Sequence, residues 1–503
     1  QPKAAKDEKA EPSKALVPVA RFGNETPRIP ETAPATLAQS SPYDTAREYV
    51  RRHCFHEGVL ATYFWQNEFW EWNSRYYATV EPQIIRDRVY AFLDGSRKFA
   101  GGDELTRFKP NPKLVNDVLD ALKAGLTLPN SCQPPMWIDS DEPATDVLVF
   151  RNGLVNVLTG ERSALTPKLW VHSAVGYDYD PKAKCPLWEG FLEQVFPGDK
   201  ESQDCIEEQL GYGMTEETKF EKAALWLGPR RSGKGTIAFM QQKLAGECAY
   251  VGLSFSTWVA NVNSRGCLIG KRVGVFPDIR VKPGKHYGSS YDAGGISPTS
   301  QELLLNITGQ DTLTIGRKWT GDWHGQLRLK LILISNEVPN FNDTTLVSRF
   351  VKVKFGQNFY GREDVDLRKK LEAEISGIAF RCMTAYRRLI GRGKFIQPQS
   401  GLELERKILA ESDPWTKFVN ETFVIDVAGM VNCAVVKLKF EVWCEEHGRS
   451  DLLLSVPTAS LLTQRLKSVE GLEGLRPYRP HGGLRQYVGL RLKTKDEEWG
   501  ENE

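Results

Sequence analysis

One stretch limits what this chain can fold into more than any other. In Ala223–Met240, AALWLGPRRSGKGTIAFM, an apolar run feeds a glycine-bounded loop carrying Lys234 and then turns into a helical pattern. Strand, tight loop and helix in that order make a phosphate cradle. Backbone N–H groups between Gly228 and Gly235 curl round the phosphates, the helix beginning near Thr236 adds its positive dipole end, and Lys234 reaches the β and γ phosphates. The expectation is a P-loop for a nucleoside triphosphate, lined by Gly228, Pro229, Arg230, Arg231, Ser232, Gly233, Lys234, Gly235 and Thr236. The usual pattern ends Gly-Lys-Ser/Thr, with the hydroxyl on Mg²⁺, whereas here Gly235 takes that place and Thr236 follows. Either Thr236 supplies the hydroxyl or the ion is held otherwise.

At 503 residues, 41% of them hydrophobic, the chain is long enough for about three domains with real cores. Its 66 basic and 64 acidic residues balance, so a nucleic-acid site must come from local clustering. The nine cysteines are scattered without a C-x-x-C pair, which argues against a disulfide framework and a structural zinc. Free thiols in a reducing cytoplasm are the simple reading. No apolar run approaches the roughly 18 residues of a membrane span and no signal peptide is visible, so a soluble, intracellular protein is expected.

The composition divides the chain. Residues 1–42 hold seven of the 28 prolines and one aromatic, Phe22, and read as a disordered linker. Because the chain starts at Gln1, that linker is expected to join something upstream. Residues 43–199 are aromatic-rich, with a hairpin expected over 63–77 and a second, turning at Asn152–Gly153, over 146–161. Residues 200–395 alternate helical patterns with apolar strands at Ala223–Leu227, Arg272–Phe276, Leu329–Ile334 and Phe350–Phe355, the pattern of an α/β sheet covered by helices. Over 396–495 helical patterns at Pro414–Glu421, Val435–His447 and Thr458–Val469 precede a basic hairpin turning at His481-Gly482-Gly483. An acidic tail, 496–503, follows.

A P-loop needs an acidic group for Mg²⁺, a polar γ-phosphate sensor and an arginine for charge developing in the transition state. Asp278 ends the apolar strand in KRVGVFPDIR, Asn336 ends the one in RLKLILISNEVP, and Arg349 precedes a third in LVSRFVKV. Their spacings from Lys234, 44 residues to Asp278 (278 − 234) and 102 to Asn336 (336 − 234), suit a compact ATPase core.

The block LLLNITGQDTLTIGRKWTGDWHGQLRLK (303–330), with GPRRSGKGT before it and SNEVPNF and SRFVKVKFGQNFYGREDVDLRKKL after it, resembles the superfamily 3 helicase domain of phage and plasmid primase-helicases. FRNGLVNVLTGE, YDYDPKAKCPLWEGFLEQVF and EEQLGYGM look like that family's domain leading into the helicase, and the C-terminal segment is similar to its winged-helix end. The resemblance spans roughly 50–495. It implies an AAA+-type α/β motor between a mixed, mainly helical N-terminal domain (43–199) and a winged helix (396–495). It also implies a hexameric ring driven by Mg·ATP with 3′→5′ movement on single-stranded and forked DNA, in the bacterial cytoplasm, as the replicative helicase of a phage, prophage or plasmid. Carried over, it makes Gly228 to Thr236 the Walker A loop, Asp278 Walker B holding Mg²⁺ with Thr236, Asn336 the sensor and Arg349 the finger on the neighbour's ATP. Thr308 to Lys318 matches a motif preceding a channel hairpin, so Arg317, Lys318, Trp319 and His324 become candidate DNA contacts.

Two departures follow. Asp278 stands beside Ile279 and Arg280 where many relatives carry a second acid, leaving Glu337 and Glu302 as substitute bases. The primase-polymerase domain of many relatives is not represented by its carboxylates here, and is expected upstream of Gln1. The basic C-terminal hairpin, with Arg479 and Arg485 flanking its turn, suits a wing on duplex DNA or one packed against the ring. Two rival readings remain: an ATP-switched origin-binding or scaffolding module with little turnover, and a P-loop nucleotide kinase.

Overall fold

Ser41 caps the first long helix, α1 (Pro42–His53): its hydroxyl accepts the Asp44 N–H at 3.3 Å, and Pro42 fills a first-turn position that needs no N–H. The structure, a computed structural model, describes residues 20–25, 34–37, 41–99, 104–254, 258, 262–277, 279, 298–317, 322–339, 345–447 and 449–494. Strands β1 (Thr62–Trp65) and β2 (Glu68–Trp72) form the expected hairpin, because Gln66 and Asn67 adopt the positive φ of 49° and 67° that a tight two-residue turn requires. Strand β3 (Tyr77–Val80) completes this antiparallel sheet. Helices α2 (Pro82–Asp94) and α3 (Pro112–Leu126) pack with α1 around its aromatic face, with Trp170 against Tyr63, Trp65, Trp70 and Tyr77.

The linker expected over 1–42 is corrected where residues of it are described. Phe22, Ala20, Ala35 and Leu37 are buried in this N-terminal core, and Ala35 and Leu37 exchange backbone hydrogen bonds with Arg97 at 2.7 and 2.8 Å. A Cβ at Gly125 of α3 would lie 1.9 Å from the Phe22 ring. Low average hydrophobicity hides a few apolar side chains that each meet a fitted slot. The acidic tail lies outside the described residues.

Strands β4 (Val147–Phe150) and β5 (Gly153–Asn156) pair Phe150 with Gly153, so Arg151 and Asn152 make the turn, one residue ahead of the expectation. Asn152 is drawn in because its amide donates to Tyr179 O and accepts the Tyr179 N–H, both at 3.0 Å. This hairpin, helix α4 (Pro186–Val195) and helix α5 (Lys200–Met214) share one continuous core with the sheet that follows. The expected boundary at 199/200 therefore cuts through a single core.

That sheet holds β6 (Ala223–Leu227), β7 (Tyr250–Gly252), β8 (Val273–Phe276), β11 (Lys330–Ser335) and β12 (Phe350–Lys354), all parallel, in the spatial order β7-β8-β11-β6-β12. Alternate residues face opposite ways and both faces are covered. Ala224, Trp226, Ile332, Ile334, Val351 and Val353 face α5, α6 (Lys234–Ala245) and α10 (Ile375–Arg392). Leu225, Leu227, Leu331 and Leu333 face the side closed by α7 (Pro298–Thr308) and α8 (Thr345–Arg349). Between α7 and β11 lies an antiparallel hairpin, β9 (Thr312–Ile315) and β10 (Trp323–Gln326). Helix α9 (Leu367–Ala373) follows β12 and leads into α10.

Helix α11 (Gln399–Ser412) puts Leu404 and Ile408 into the sheet's core, so the boundary expected at 395/396 moves to Asp413, whose carboxylate caps α12 (Pro414–Thr422). The last unit has its own core from Trp415 to Leu490. It runs α12, β13 (Phe423–Asn432), α13 (Cys433–Glu446), α14 (Ser450–Ser455), α15 (Ala459–Leu466), β14 (Arg476–Tyr478) and β15 (Gln486–Leu492), with strand order β13-β15-β14. The turn between β14 and β15 contains His481-Gly482-Gly483, as expected. The cysteines are free thiols, and no described helix is long and apolar enough to cross a membrane.

Phe22→Ala is expected to cost about 3 kcal/mol in denaturant unfolding, whereas a linker residue would cost nothing. His172 stacks on Trp70 at 3.9 Å between ring centroids, and burial lowers its pKa from 6.5 to about 3. Between those values the unfolded chain binds the extra proton, so this group's share of stability is present above pH 6.5 and is lost as pH falls. Acidification from pH 7 to 5 should cost about 2 kcal/mol more in the parent than in His172→Phe, measured as the difference between their stability profiles.

Candidate functional site

The loop after β6 is shaped by contacts a side chain would block. Gly228 donates its N–H to Ser335 O at 3.3 Å, and a Cβ there would lie 2.2 Å from the Phe355 carbonyl oxygen. Arg231 and Gly233 take left-handed φ of 57° and 95°, and Gly233 is the N-cap of α6, its carbonyl accepting from Thr236 and Ile237 at 3.0 and 3.1 Å. The chain thus curls back on itself, and the N-terminal end of α6 opens onto a cleft that Gly233, Lys234, Gly235 and Thr236 line. Lys234 itself is buried. Its ammonium donates to Gly228 O at 2.5 Å, Pro229 O at 2.7 Å, the Ser232 hydroxyl at 3.1 Å and Asn336 Oδ1 at 3.4 Å.

Asn336 comes from the end of β11, the neighbour of β6 in the sheet. Ser335 fixes the turn there: its hydroxyl donates to Ile279 O at 3.0 Å, while Ile279 N–H donates to Ile334 O at 2.9 Å. The segment after β8 is thereby tied beside Asn336, and Pro277 lines the same cleft. Asp278 lies outside the described residues. Glu337 is exposed directly after Asn336, and Glu302 is exposed on α7.

The cleft has a volume of about 1020 Å³ and includes the whole stretch Arg230–Thr236. Two of its walls were not assigned from sequence. One is α4, which contributes Leu187, Phe191 and Gln194. The other runs from Phe359 to Lys370. There Phe359 N–H donates to Arg231 O at 2.9 Å, the Arg231 guanidinium pairs with Glu363 and lies 4.9 Å from the Tyr360 ring centroid, and Arg368 reaches Gly235 O at 3.4 Å. The sequence signal was the charged stretch GREDVDLRKK, but only the fold brings it over the loop.

Arg349 stands elsewhere. In the parallel register Ala223 faces Phe350 and Leu227 faces Lys354, so Arg349 lies at the opposite end of β6 from the loop, about 16 Å of strand away. It does not line the cleft. Its guanidinium pairs with Glu221, and the adjacent Lys222 ammonium donates to Ser348 O at 2.6 Å.

Arg317 begins the tip of the β9–β10 hairpin, and exposed His324 sits on β10 with its Nδ1 2.9 Å from the Thr314 hydroxyl. Lys318 and Trp319 lie outside the described residues. Arg479 and Arg485 are exposed on either side of the β14–β15 turn, and neither lines the cleft. Among the described residues no group of three or more His, Cys, Asp or Glu side chains is gathered for a metal ion.

Gly228→Ala is expected to lower stability by about 1–3 kcal/mol through its clash with backbone. Gly235→Ser should leave the thermal midpoint unchanged, because the atom its Cβ meets, at 3.6 Å, is the far end of Arg368. Thermal unfolding of both variants checks this.

Residues 45–197 match the family described as D5 N terminal like. Among solved structures, the apo NrS-1 C-terminal region is similar at 11% identity and a TM-score of 0.43, covering 86% of this chain and 96% of that one. A second form of the same region gives 10% identity and a TM-score of 0.41 with the same coverage. A JCV helicase bound to a small molecule gives 17% identity and a TM-score of 0.25, over 45% of this chain and 66% of that one.

Proposed function

We propose that this chain, which carries in residues 45–197 the D5 N-terminal-like domain of the primase-helicase family, is an ATP-hydrolysing DNA helicase with an AAA+-type superfamily 3 core and a C-terminal winged helix. One observation carries the reading: Lys234 and Asn336, 102 residues apart (336 − 234), meet at 3.4 Å over a glycine-built loop at the mouth of a parallel sheet. A buried ammonium and a carboxamide converging on a helix N-terminus suit a triphosphate. The order of α12, β13, α13–α15 and the β14–β15 hairpin supports the winged-helix part.

On binding ATP, Lys234 exchanges carbonyl oxygens for β and γ phosphate oxygens, and the first turn of α6 donates N–H groups to the same phosphates. Asn336 orients the attacking water or senses the γ-phosphate. Thr236, in the cleft beside Lys234, offers a hydroxyl to Mg²⁺, with Asp278 as the carboxylate. Held there, the ion would supply charge neutralisation for the phosphates. Arg349 serves a neighbouring subunit's ATP, since its own cleft lies at the other end of β6. Subunits form a homo-oligomeric ring, taken as a hexamer, that moves 3′→5′ on single-stranded DNA at a fork. The β9–β10 hairpin, with Arg317 and His324, faces the strand, and Arg479 and Arg485 on the wing meet duplex phosphates. The ring acts in replication of a phage, prophage or plasmid in the bacterial cytoplasm, with priming supplied by an upstream primase-polymerase domain.

ATP turnover measured with and without single-stranded DNA, with particle mass on the same samples, tests this. DNA should stimulate turnover in an oligomer. Lys234→Ala should lower kcat about 100-fold and Arg349→Ala about 1000-fold. Turnover by a monomer indifferent to Arg349 would overturn the reading, and phosphoryl transfer to a nucleotide would replace it with a kinase. An oligomer that binds ATP and DNA without turnover would point to an ATP-switched scaffold.

A further inference from the structure

We propose that Glu221 is the positioning residue for Arg349, holding its guanidinium in the orientation presented to the neighbouring subunit. The proposal rests on the reading of Arg349 as an arginine acting across subunits. Three observations carry it. Glu221 pairs with Arg349 Nη1 at a surface where the two side chains are 46% and 31% exposed. An exposed pair of this kind adds little to stability. Second, Glu221 has a φ of +50°, a left-handed backbone that Gly or Asn adopts more comfortably than Glu. Stability therefore gives no reason for a glutamate here, whereas its carboxylate does.

Third, the two segments are zipped together. Lys222 Nζ donates to Ser348 O at 2.6 Å, and Ala223 faces Phe350 in the parallel register. The carboxylate thus sits on a short rigid ladder directly beside Arg349. A guanidinium has five donors in a fixed fork, so engaging one at Nη1 leaves the others for a phosphate while removing the swing of a long side chain. Glu221 also begins the segment that continues through β6 into the loop at Gly228. One rod therefore carries a subunit's own phosphate loop at one end and the grip on its outgoing arginine at the other.

The test uses the full chain with single-stranded DNA and reads kcat, KM for ATP and thermal midpoint. Glu221→Asn suits the left-handed backbone and removes the charge. It should lower kcat about tenfold with KM unchanged and the midpoint equal or higher. Glu221→Asp should recover part of the rate. Combined with Arg349→Ala, Glu221→Asn should cause no further loss. A normal kcat in Glu221→Asn beside a large Arg349→Ala effect would overturn the positioning role alone, as would additive losses in the double variant. Indifference to Arg349→Ala, with Lys234→Ala inactive, would overturn the cross-subunit reading and the positioning role with it.

Discussion

Strands β6 and β11 lie side by side, parallel and apolar on both faces, and the polar groups of the site can stand only where those strands end. The parallel direction then decides which groups meet. The loop with Lys234 follows β6 and Asn336 follows β11, so both emerge at the same edge and come within 3.4 Å. Arg349 precedes β12, and parallel pairing sends it to the far edge. Departures from the rule need partners: Lys330, buried at the start of β11, donates to Thr215 O. Lys352 is buried inside β12, and it is accommodated by Glu405 of α11 at 3.0 Å, which ties that helix to the sheet.

Much of this sheet was legible because its strands are short apolar runs bounded by turn residues. Val273–Phe276 and Lys330–Ser335 fall within a residue or so of the bounds read from sequence. The glycine-bounded loop after β6 was legible because glycine is required there for local reasons: Gly228 by close approach of the Phe355 carbonyl, Gly233 by its left-handed φ of 95°. The walls of the cleft were not. Leu187 and Phe191 belong to an ordinary amphipathic helix, and Arg231, Glu363 and Arg368 are common surface charges whose meeting depends on tertiary packing alone. The same limit applied to the domain boundaries. A change in composition near residue 200 suggested a border, but burial of Phe150, Tyr177, Trp188 and Phe191 against the sheet's helices is a contact property.

The N-terminal residues illustrate the opposite error. Proline content and scarce aromatics describe an average, while ordering depends on individual partners. Phe22 has one in the groove that Gly125 leaves on α3, and Leu37 has one in the backbone of Arg97. A few such contacts hold segments that composition would release.

The sharing of one core between Leu148–Phe196 and the parallel sheet has a bearing on inheritance. Modules that recombine freely meet at thin, polar seams, where a foreign partner costs little. Here α4 gives its buried side to the sheet's helices and its open side to the cleft. A crossover near residue 199 would hand a descendant half a hydrophobic interior and a cleft missing one wall. Lineages of this architecture should therefore exchange what lies after Asp413 far more readily than anything between Leu148 and Leu389, and that middle travels as a single heirloom.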